Sequence, residues 1–171
     1  MEKKRAPSVF KFSQKPHIMI VEGRFYNDIA DKLLQGAKAV LDRAEASYEV
    51  FTVPGSFEVP AAIVYALKSL NFDASRRRFD GYVALGCVLK GATAHAEIVG
   101  QESTRALQEV ILRYALAAGN AILTCDTITQ ALERADPSRQ DRGGAAAEAC
   151  LHMIGHKNHF RLSPQKRWVA R

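Results

Sequence analysis

The loop at residues 90–95 (KGATAH) combines residue types that suit an anion site with a group for proton transfer beside it. Backbone N–H groups at the start of a helix bind anions, and here Thr93 adds a hydroxyl and Lys90 a positive charge. His95 can give or take a proton near neutral pH, because the ordinary pKa of histidine is about 6.5. The alternative interpretation is an ordinary strand-to-helix turn with a capping Thr93 and a surface His95. The loop matches neither GxxxxGK[ST] nor GxGxxG, so neither an NTPase nor a dinucleotide-binding fold is indicated.

Three other positions carry side chains that could contact a ligand. In residues 54–60 (PGSFEVP), Pro-Gly ends a strand, and the N–H groups that follow can meet the polar edge of a ring. Glu58 in this segment also suits the first turn of any helix. Phe25 could stack on a flat heterocycle or pack in the core. Arg134 could bind an anion or serve only as the cation at the end of a short helix.

These segments follow predicted strands of one sheet. Apolar runs predict strands at residues 17–21, 48–53, 81–89 and 120–125. Apolar residues at helical spacing predict helices from residue 28 onward, at 56–70, after 95, at 129–135 and at 145–154. Strands that alternate with helices indicate an α/β fold with a parallel sheet and helices on both faces. Ligands bind beyond the carboxyl ends of such strands. Four loops are predicted to lie there: 22–27, 54–58, 86–95 and 124–128.

Composition points to one globular domain. The chain has 171 residues, of which 47% are hydrophobic and 25% charged. No stretch approaches the roughly 20 apolar residues that span a bilayer, and the first residues lack the apolar core and cleavage site of a signal peptide. Cys87, Cys125 and Cys150 are odd in number and far apart, which predicts reduced thiols in a cytoplasmic protein and argues against a disulfide framework or a CxxC metal site. We divide the chain into a polar leader at 1–15, one domain at 16–158 and a basic tail at 159–171.

The positive charge is concentrated at the ends and in one loop. The net charge is +6. Basic residues cluster at 3–5, at 76–78 and in the tail, as Arg161, Lys166, Arg167 and Arg171. No helix face carries a basic stripe and no aromatic stacking motif accompanies the charges, so solvated ends are favoured over a surface for nucleic acid.

Taken together, three parts of the sequence resemble the lumazine synthase family. They are PGSFEVP at 54–60, GCVLKGATAHAEIV at 86–99, and TCDTITQALERA at 124–135 with RGGAAAEA at 142–149. The resemblance extends from about His17 to Lys157. It implies a flavodoxin-like three-layer α/β/α sandwich with a four-stranded parallel sheet. It also implies the penultimate step of riboflavin biosynthesis, in which 5-amino-6-(D-ribitylamino)uracil and 3,4-dihydroxy-2-butanone 4-phosphate form 6,7-dimethyl-8-ribityllumazine, with no metal or organic cofactor.

The resemblance further implies an assembly with shared sites. Members of the family form pentamers, and some form sixty-subunit capsids, with active sites between neighbouring subunits. We expect free pentamers here, because the basic tail adds like charges where pentamers would meet and because residues 140–143 (QDRG) replace the usual Gly-Asn-Lys-Gly. The expected partners are small-molecule substrates and other copies of the chain, without nucleic acid or membrane.

Residue roles follow from the resemblance position by position. The residues implied to contact the pyrimidine and its ribityl chain are Phe25, Ser56, Phe57, Glu58, Cys87, Val88, Leu89, Asn120 and Arg142. The residues implied to bind phosphate are Ala92, Thr93 and Arg134, the last from an adjacent subunit. His95 is implied to transfer protons, and no residue is implied to hold a metal.

The sequence departs from the family pattern at four positions. Lys90 replaces an Arg and loses its bidentate fork. Tyr26 stands where Asn is common, Asn120 where a Phe often packs over the ring, and Ala96 where an aromatic often follows the histidine. A catalytically weak paralogue that binds flavin or lumazine, or serves as a scaffold, is therefore an alternative. A flavodoxin- or receiver-like signalling domain is a second alternative, disfavoured because the first strand has no acidic pair at its end and the chain has no phosphoacceptor constellation.

Overall fold

A computed structural model of the chain describes residues 8–73, 75 and 78–162. The basic clusters at 3–5, 76–77 and 166–171 lie outside the described residues. Four parallel strands form one sheet in the order β2-β1-β3-β4. They are β1 (His17–Gly23), β2 (Ser47–Val53), β3 (Gly81–Leu89) and β4 (Ala118–Cys125). The predicted α/β fold with a four-stranded parallel sheet is confirmed.

In the described part of the chain, five α-helices cover the two faces of the sheet. They are α1 (Asn27–Arg43), α2 (Val59–Ser69), α3 (His95–Arg113), α4 (Ile128–Ala135) and α5 (Arg142–His159). Alternate residues of β1 point to opposite faces. Met19 and Val21 pack with residues of α2 and α3 in one core cluster. Ile18 and Ile20 pack with residues of α1, α4 and α5 in the other. The result is the three-layer α/β/α arrangement, and each helix layer shields one face of the strands from water.

The two central strands are buried and the outer ones are partly exposed. Every residue of β1 is buried, as is β3 up to Val88, whereas β2 and β4 alternate between buried or half-buried and exposed positions. This matches their positions, because β2 and β4 form the two edges of the sheet. Among the described residues, no helix is long and apolar enough to cross a membrane.

Two helices were predicted with wrong boundaries. The helix expected at 56–70 begins as a 3-10 turn at Ser56–Glu58, and the α-helix starts only at Val59. The last helix was expected at 145–154 but runs from Arg142 to His159. Its start was missed because Gly143 and Gly144 look like helix breakers. A Cβ atom on Gly143 would lie 2.0 Å from the Leu33 carbonyl oxygen, so glycine is needed there for α5 to pack against α1.

Candidate active site at the carboxyl edge of the sheet

A cleft of about 340 Å³ opens at the carboxyl edge of the sheet. The loops after β1, β2 and β3 and the first turn of α3 form its walls. It is lined by Phe25, Tyr26, Pro54, Gly55, Ser56, Phe57, Glu58, Cys87, Val88, Leu89, His95, Ala96 and Val99. The structure thus brings together eight of the residues predicted for the site: Phe25, Ser56, Phe57, Glu58, Cys87, Val88, Leu89 and His95.

An exposed aromatic ring stands at one side of the cleft. Phe25 follows β1 and is 71% exposed. Its ring meets the edge of the Tyr26 ring at 5.0 Å between centroids and an angle of 69°. Tyr26 itself is half-buried and packs against the core on the α1 side. An exposed ring held over a cleft offers a flat apolar surface for a planar ligand.

The turn after β2 forms the opposite wall and holds a buried hydroxyl. Ser56 is 4% exposed, and among the described residues its Oγ atom has no hydrogen-bond partner. It lies against Gly86 of β3, where an added Cβ atom would come within 2.5 Å of the Ser56 Oγ. The neighbouring Phe57 and Glu58 are exposed toward solvent. The Oγ atom is itself buried against Gly86, so the hydroxyl faces β3 and not the opening of the cleft.

The end of β3 supplies the floor of the cleft. Cys87 and Val88 are buried, and Leu89 is half-buried. Burial raises the pKa of the Cys87 thiol to about 12, with a smaller contribution from the nearby Cys125. The thiol therefore stays protonated at neutral pH and does not act as a nucleophile. The floor can offer its backbone N–H and C=O groups to a ligand that carries donors and acceptors along one edge.

The loop after β3 leads into α3 and places a histidine at the mouth of the cleft. The backbone N–H of Lys90 donates to the Cys125 carbonyl at 2.9 Å, which continues the β3–β4 pairing by one residue. His95 is exposed, and its backbone N–H donates to the Thr93 Oγ1 at 3.4 Å. Ala92 and Thr93 are also exposed and do not line the cleft, but they precede the first turn of α3, where N–H groups lack helical partners.

Besides Ala92 and Thr93, three more of the predicted site residues lie outside this cleft. Arg134 is half-buried in the last turn of α4 and donates through Nη1 to the Gln130 carbonyl at 3.2 Å. Asn120 is exposed in the first half of β4, opposite Ala84 of β3, and its Oδ1 accepts from the backbone N–H of Ile122 at 2.8 Å.

Arg142 is half-buried at the first position of α5, in the helix layer that packs against α1. The roles of these three residues remain predictions, since none of them reaches the cleft of its own chain. Arg134 still belongs to the same edge of the sheet. Its positive charge opposes the rise that burial causes in the pKa of Cys125, the last residue of β4.

Five lining residues were not predicted as site residues, and two of them, Pro54 and Gly55, belong to the turn that was expected to meet a ligand. Tyr26 and Ala96 were noted only as departures from a pattern, and Val99 was not considered. Val99 could have been found, because it follows His95 and Ala96 by about one helical turn and therefore shares their face of α3. Among the described residues, no group of three His, Cys, Asp or Glu side chains lies close enough together to hold a metal ion.

Comparisons with known proteins point in one direction. A family model described as 6,7-dimethyl-8-ribityllumazine synthase matches residues 15–158. The protein of that name from Bartonella tribocorum is 50% identical over 147 residues, which cover 86% of this chain and 93% of that protein. Its counterpart from Agrobacterium fabrum is 50% identical over 140 residues, covering 82% and 93%. A Rhizobium meliloti protein named 6,7-dimethyl-8-ribityllumazine synthase 1 is 49% identical over 150 residues, covering 88% and 95%.

Proposed function

The chain belongs to the 6,7-dimethyl-8-ribityllumazine synthase family, and on that premise we propose that the cleft is where its two substrates react. The enzyme is a transferase of riboflavin biosynthesis that condenses 5-amino-6-(D-ribitylamino)uracil with 3,4-dihydroxy-2-butanone 4-phosphate. One observation supports placing this reaction in the cleft: Phe25, the 56–58 turn, the end of β3 and His95 come from separate parts of the chain and line a single opening.

The pyrimidine lies between the Phe25 ring and the floor of the cleft. A uracil is planar and carries N–H and C=O groups along one edge, so it can stack on Phe25 while that edge meets the backbone of Cys87, Val88 and Leu89. Backbone N–H groups of Ser56 and Phe57, at the wall of the cleft, satisfy a further polar atom of the ligand. Glu58 at the rim is placed to accept hydrogen bonds from the ribityl hydroxyls.

The phosphate lies beside the start of α3. N–H groups near Ala92 and the hydroxyl of Thr93 bind its oxygens, and the positive end of the helix favours its charge. Arg134 supplies the cation from an adjacent subunit, since within its own chain it lies outside the cleft. Arg142 and Asn120 contact the pyrimidine side across the same subunit boundary.

The reaction needs proton transfer and close positioning of the two substrates. The uracil amine attacks the ketone, and loss of water gives an imine. Loss of a proton from the hydroxyl-bearing carbon beside the imine and of inorganic phosphate from the next carbon gives an enol, which tautomerises to a second carbonyl. The four-carbon chain swings round, and the ribityl-bearing amine attacks this carbonyl with loss of a second water. His95 at the mouth of the cleft gives and takes protons in these steps. Orientation can supply roughly 7–11 kcal/mol of barrier reduction. No step requires a metal or an organic cofactor.

We infer a closed ring of five subunits in the cytoplasm. Helix α3 exposes large apolar side chains, with Ile98 54% and Leu112 70% exposed. In a ring, contact with a neighbouring subunit would bury them. Cys87, Cys125 and Cys150 are buried free thiols, as expected in a reducing compartment. Light scattering at moderate salt tests the assembly. A fully active monomer would contradict the shared site, whereas a sixty-subunit particle would contradict only the free pentamer.

The cleft assignment is tested by truncating its exposed ring. We mix the two substrates with the enzyme and follow lumazine formation by absorbance. Phe25→Ala should raise the Michaelis constant for the pyrimidine about fivefold, since one aromatic stacking contact is lost. Phe72→Ala is the matched control, because Phe72 is a 91% exposed ring that does not line the cleft. Equal Michaelis constants for the pyrimidine in the two variants would contradict the assignment of Phe25 to the site. If the native protein forms no lumazine, the proposed function is contradicted.

A further inference from the structure

A carboxylate lies buried one residue before the end of β1. Glu22 is 3% exposed and points to the α1 side of the sheet, the same side as Ile18 and Ile20. Burying a carboxylate costs free energy unless its oxygens are paired, and apolar side chains in place of a whole buried ion pair are often as stable or more stable. The presence of Glu22 in the core therefore needs a reason other than packing.

The contacts of Glu22 converge on one of its two oxygens. Oε1 accepts from Arg24 Nε at 2.8 Å and from Thr52 Oγ1 at 2.8 Å. Oε2 is buried and has no hydrogen-bond partner among the described residues. The other side of the Arg24 guanidinium donates through Nη2 to Asp31 in α1. These two carboxylates, with Asp31 as the larger contributor, raise the pKa of Arg24, so its charge is permanent. Glu22 thus joins the ends of β1 and β2 and, through Arg24, the first turns of α1.

This ion pair fixes the chain immediately before Phe25. The backbone N–H of Arg24 donates to the Val53 carbonyl at 3.0 Å, so residue 24 is held by its backbone to β2 and by its side chain to β1 and α1. Phe25, the next residue, is 71% exposed and cannot be oriented by burial in the core. Its direction over the cleft is set by the backbone that Arg24 holds in place.

We propose that Glu22 is a positioning residue for the pyrimidine: it holds Arg24, and Arg24 aims Phe25 and Tyr26 over the cleft. This inference rests on the proposed function, because it assigns Phe25 to the pyrimidine. It also goes beyond it, since Glu22 does not line the cleft and reaches the ligand only through the loop at 24–26. The second substrate, which lies beside α3, does not depend on this loop.

Two substitutions at the same position test the proposal. Glu22→Gln keeps an oxygen that accepts from Arg24 and Thr52, whereas Glu22→Met fills the same space and accepts nothing. Glu22→Met should raise the Michaelis constant and the calorimetric dissociation constant for the pyrimidine about five- to tenfold. It should leave the Michaelis constant for the ketone phosphate and kcat within about twofold, although it should lower the melting temperature because Arg24 and Thr52 lose their acceptor. Glu22→Gln should keep all constants within about twofold of the native values.

Further variants separate a change in ligand positioning from misfolding and from a nonspecific loss of activity. Arg24→Lys keeps the charge but loses the fork that bridges Glu22 and Asp31, so it should reproduce the effect of Glu22→Met. The double variant, with Glu22→Met and Arg24→Lys, should have a Michaelis constant for the pyrimidine no higher than that of the weaker-binding single variant, because both substitutions remove the same contact. Glu49→Gln is the control, since Glu49 pairs with His17 at 2.9 Å elsewhere in the sheet and does not line the cleft.

The possible outcomes distinguish failure of the positioning role of Glu22 from failure of the proposed function. The positioning role is contradicted if Glu22→Met lowers the melting temperature while both Michaelis constants stay unchanged, or if it weakens both substrates equally. If Glu22→Met does not fold, Arg24→Lys decides by the same constants. A native protein that binds neither substrate contradicts the proposed function, and that result is distinct from a loss seen only in the variants.

Discussion

Replacing Arg134 by Ala tests the division of the site between the two substrates. Arg134 is half-buried, and the hydrogen bond it makes within the chain goes to the Gln130 carbonyl of its own helix. The variant should therefore lose only about 0.3–1 kcal/mol of stability, the usual contribution of a cation in the last turn of a helix. A charged hydrogen bond to a phosphate contributes about 1.5–3 kcal/mol. Its loss should raise the Michaelis constant for 3,4-dihydroxy-2-butanone 4-phosphate roughly 10- to 150-fold.

The assay measures the two Michaelis constants separately. The constant for the pyrimidine should change less than about twofold, because the contacts of the 56–58 turn and of the end of β3 are untouched. Arg113→Ala is the matched control: Arg113 also lies in the last turn of a helix and donates to Glu109 at 2.7 Å, but it does not line the cleft. Equal weakening of both substrates by Arg134→Ala, or an unchanged constant for the ketone phosphate, would refute the phosphate assignment.

Two further predictions concern stability. A Cβ atom on Gly119 would lie 1.8 Å from the Ala146 carbonyl oxygen, so Gly119→Ala should lower the free energy of unfolding by roughly 1–3 kcal/mol. Gly155→Ala, in an open position of α5, should instead raise it by about 0.5–1 kcal/mol, and denaturant titration that finds the same sign for both would contradict the packing. The Lys32 ammonium, 2.9 Å away, holds the pKa of Asp136 well below its ordinary value of 3.8. This stabilisation is present above that ordinary value and is lost as the pH falls, so the deficit in melting temperature of Asp136→Asn should shrink below about pH 4.

Secondary structure was predictable wherever the residue types of a segment matched the burial of that segment in the fold. The limits of β3 were predicted correctly, because all of its residues from Gly81 to Leu89 are apolar or glycine and the strand is central. The start of α5 was not predictable, because Gly143 breaks helices by propensity. It is accepted there only because α1 approaches too closely for a side chain. That reason is a tertiary contact and leaves no local signal.

The site was predictable to the extent that strand ends meet at one edge. Placing ligands beyond the carboxyl ends of parallel strands brought Phe25, the 56–58 turn and His95 to one cleft. The pairing of Glu22 with Arg24 could not be predicted, because an acidic residue in an apolar run gives no sign of what it contacts. The roles of Arg134 and Asn120 could not be tested within one chain, since both lie outside its cleft.

Steady-state lumazine formation by His95→Ala tests the central claim most directly. If the cleft positions both substrates and His95 transfers protons, the rate should fall by about 10²- to 10⁴-fold yet remain above the rate in solution. His156→Ala, which removes an exposed histidine from α5, should leave the rate unchanged. An unchanged rate in folded His95→Ala protein would contradict the placement of the chemistry in this cleft. Complete loss of activity in normally folded His95→Ala protein would contradict the claim that substrate orientation contributes more to the rate than proton transfer does.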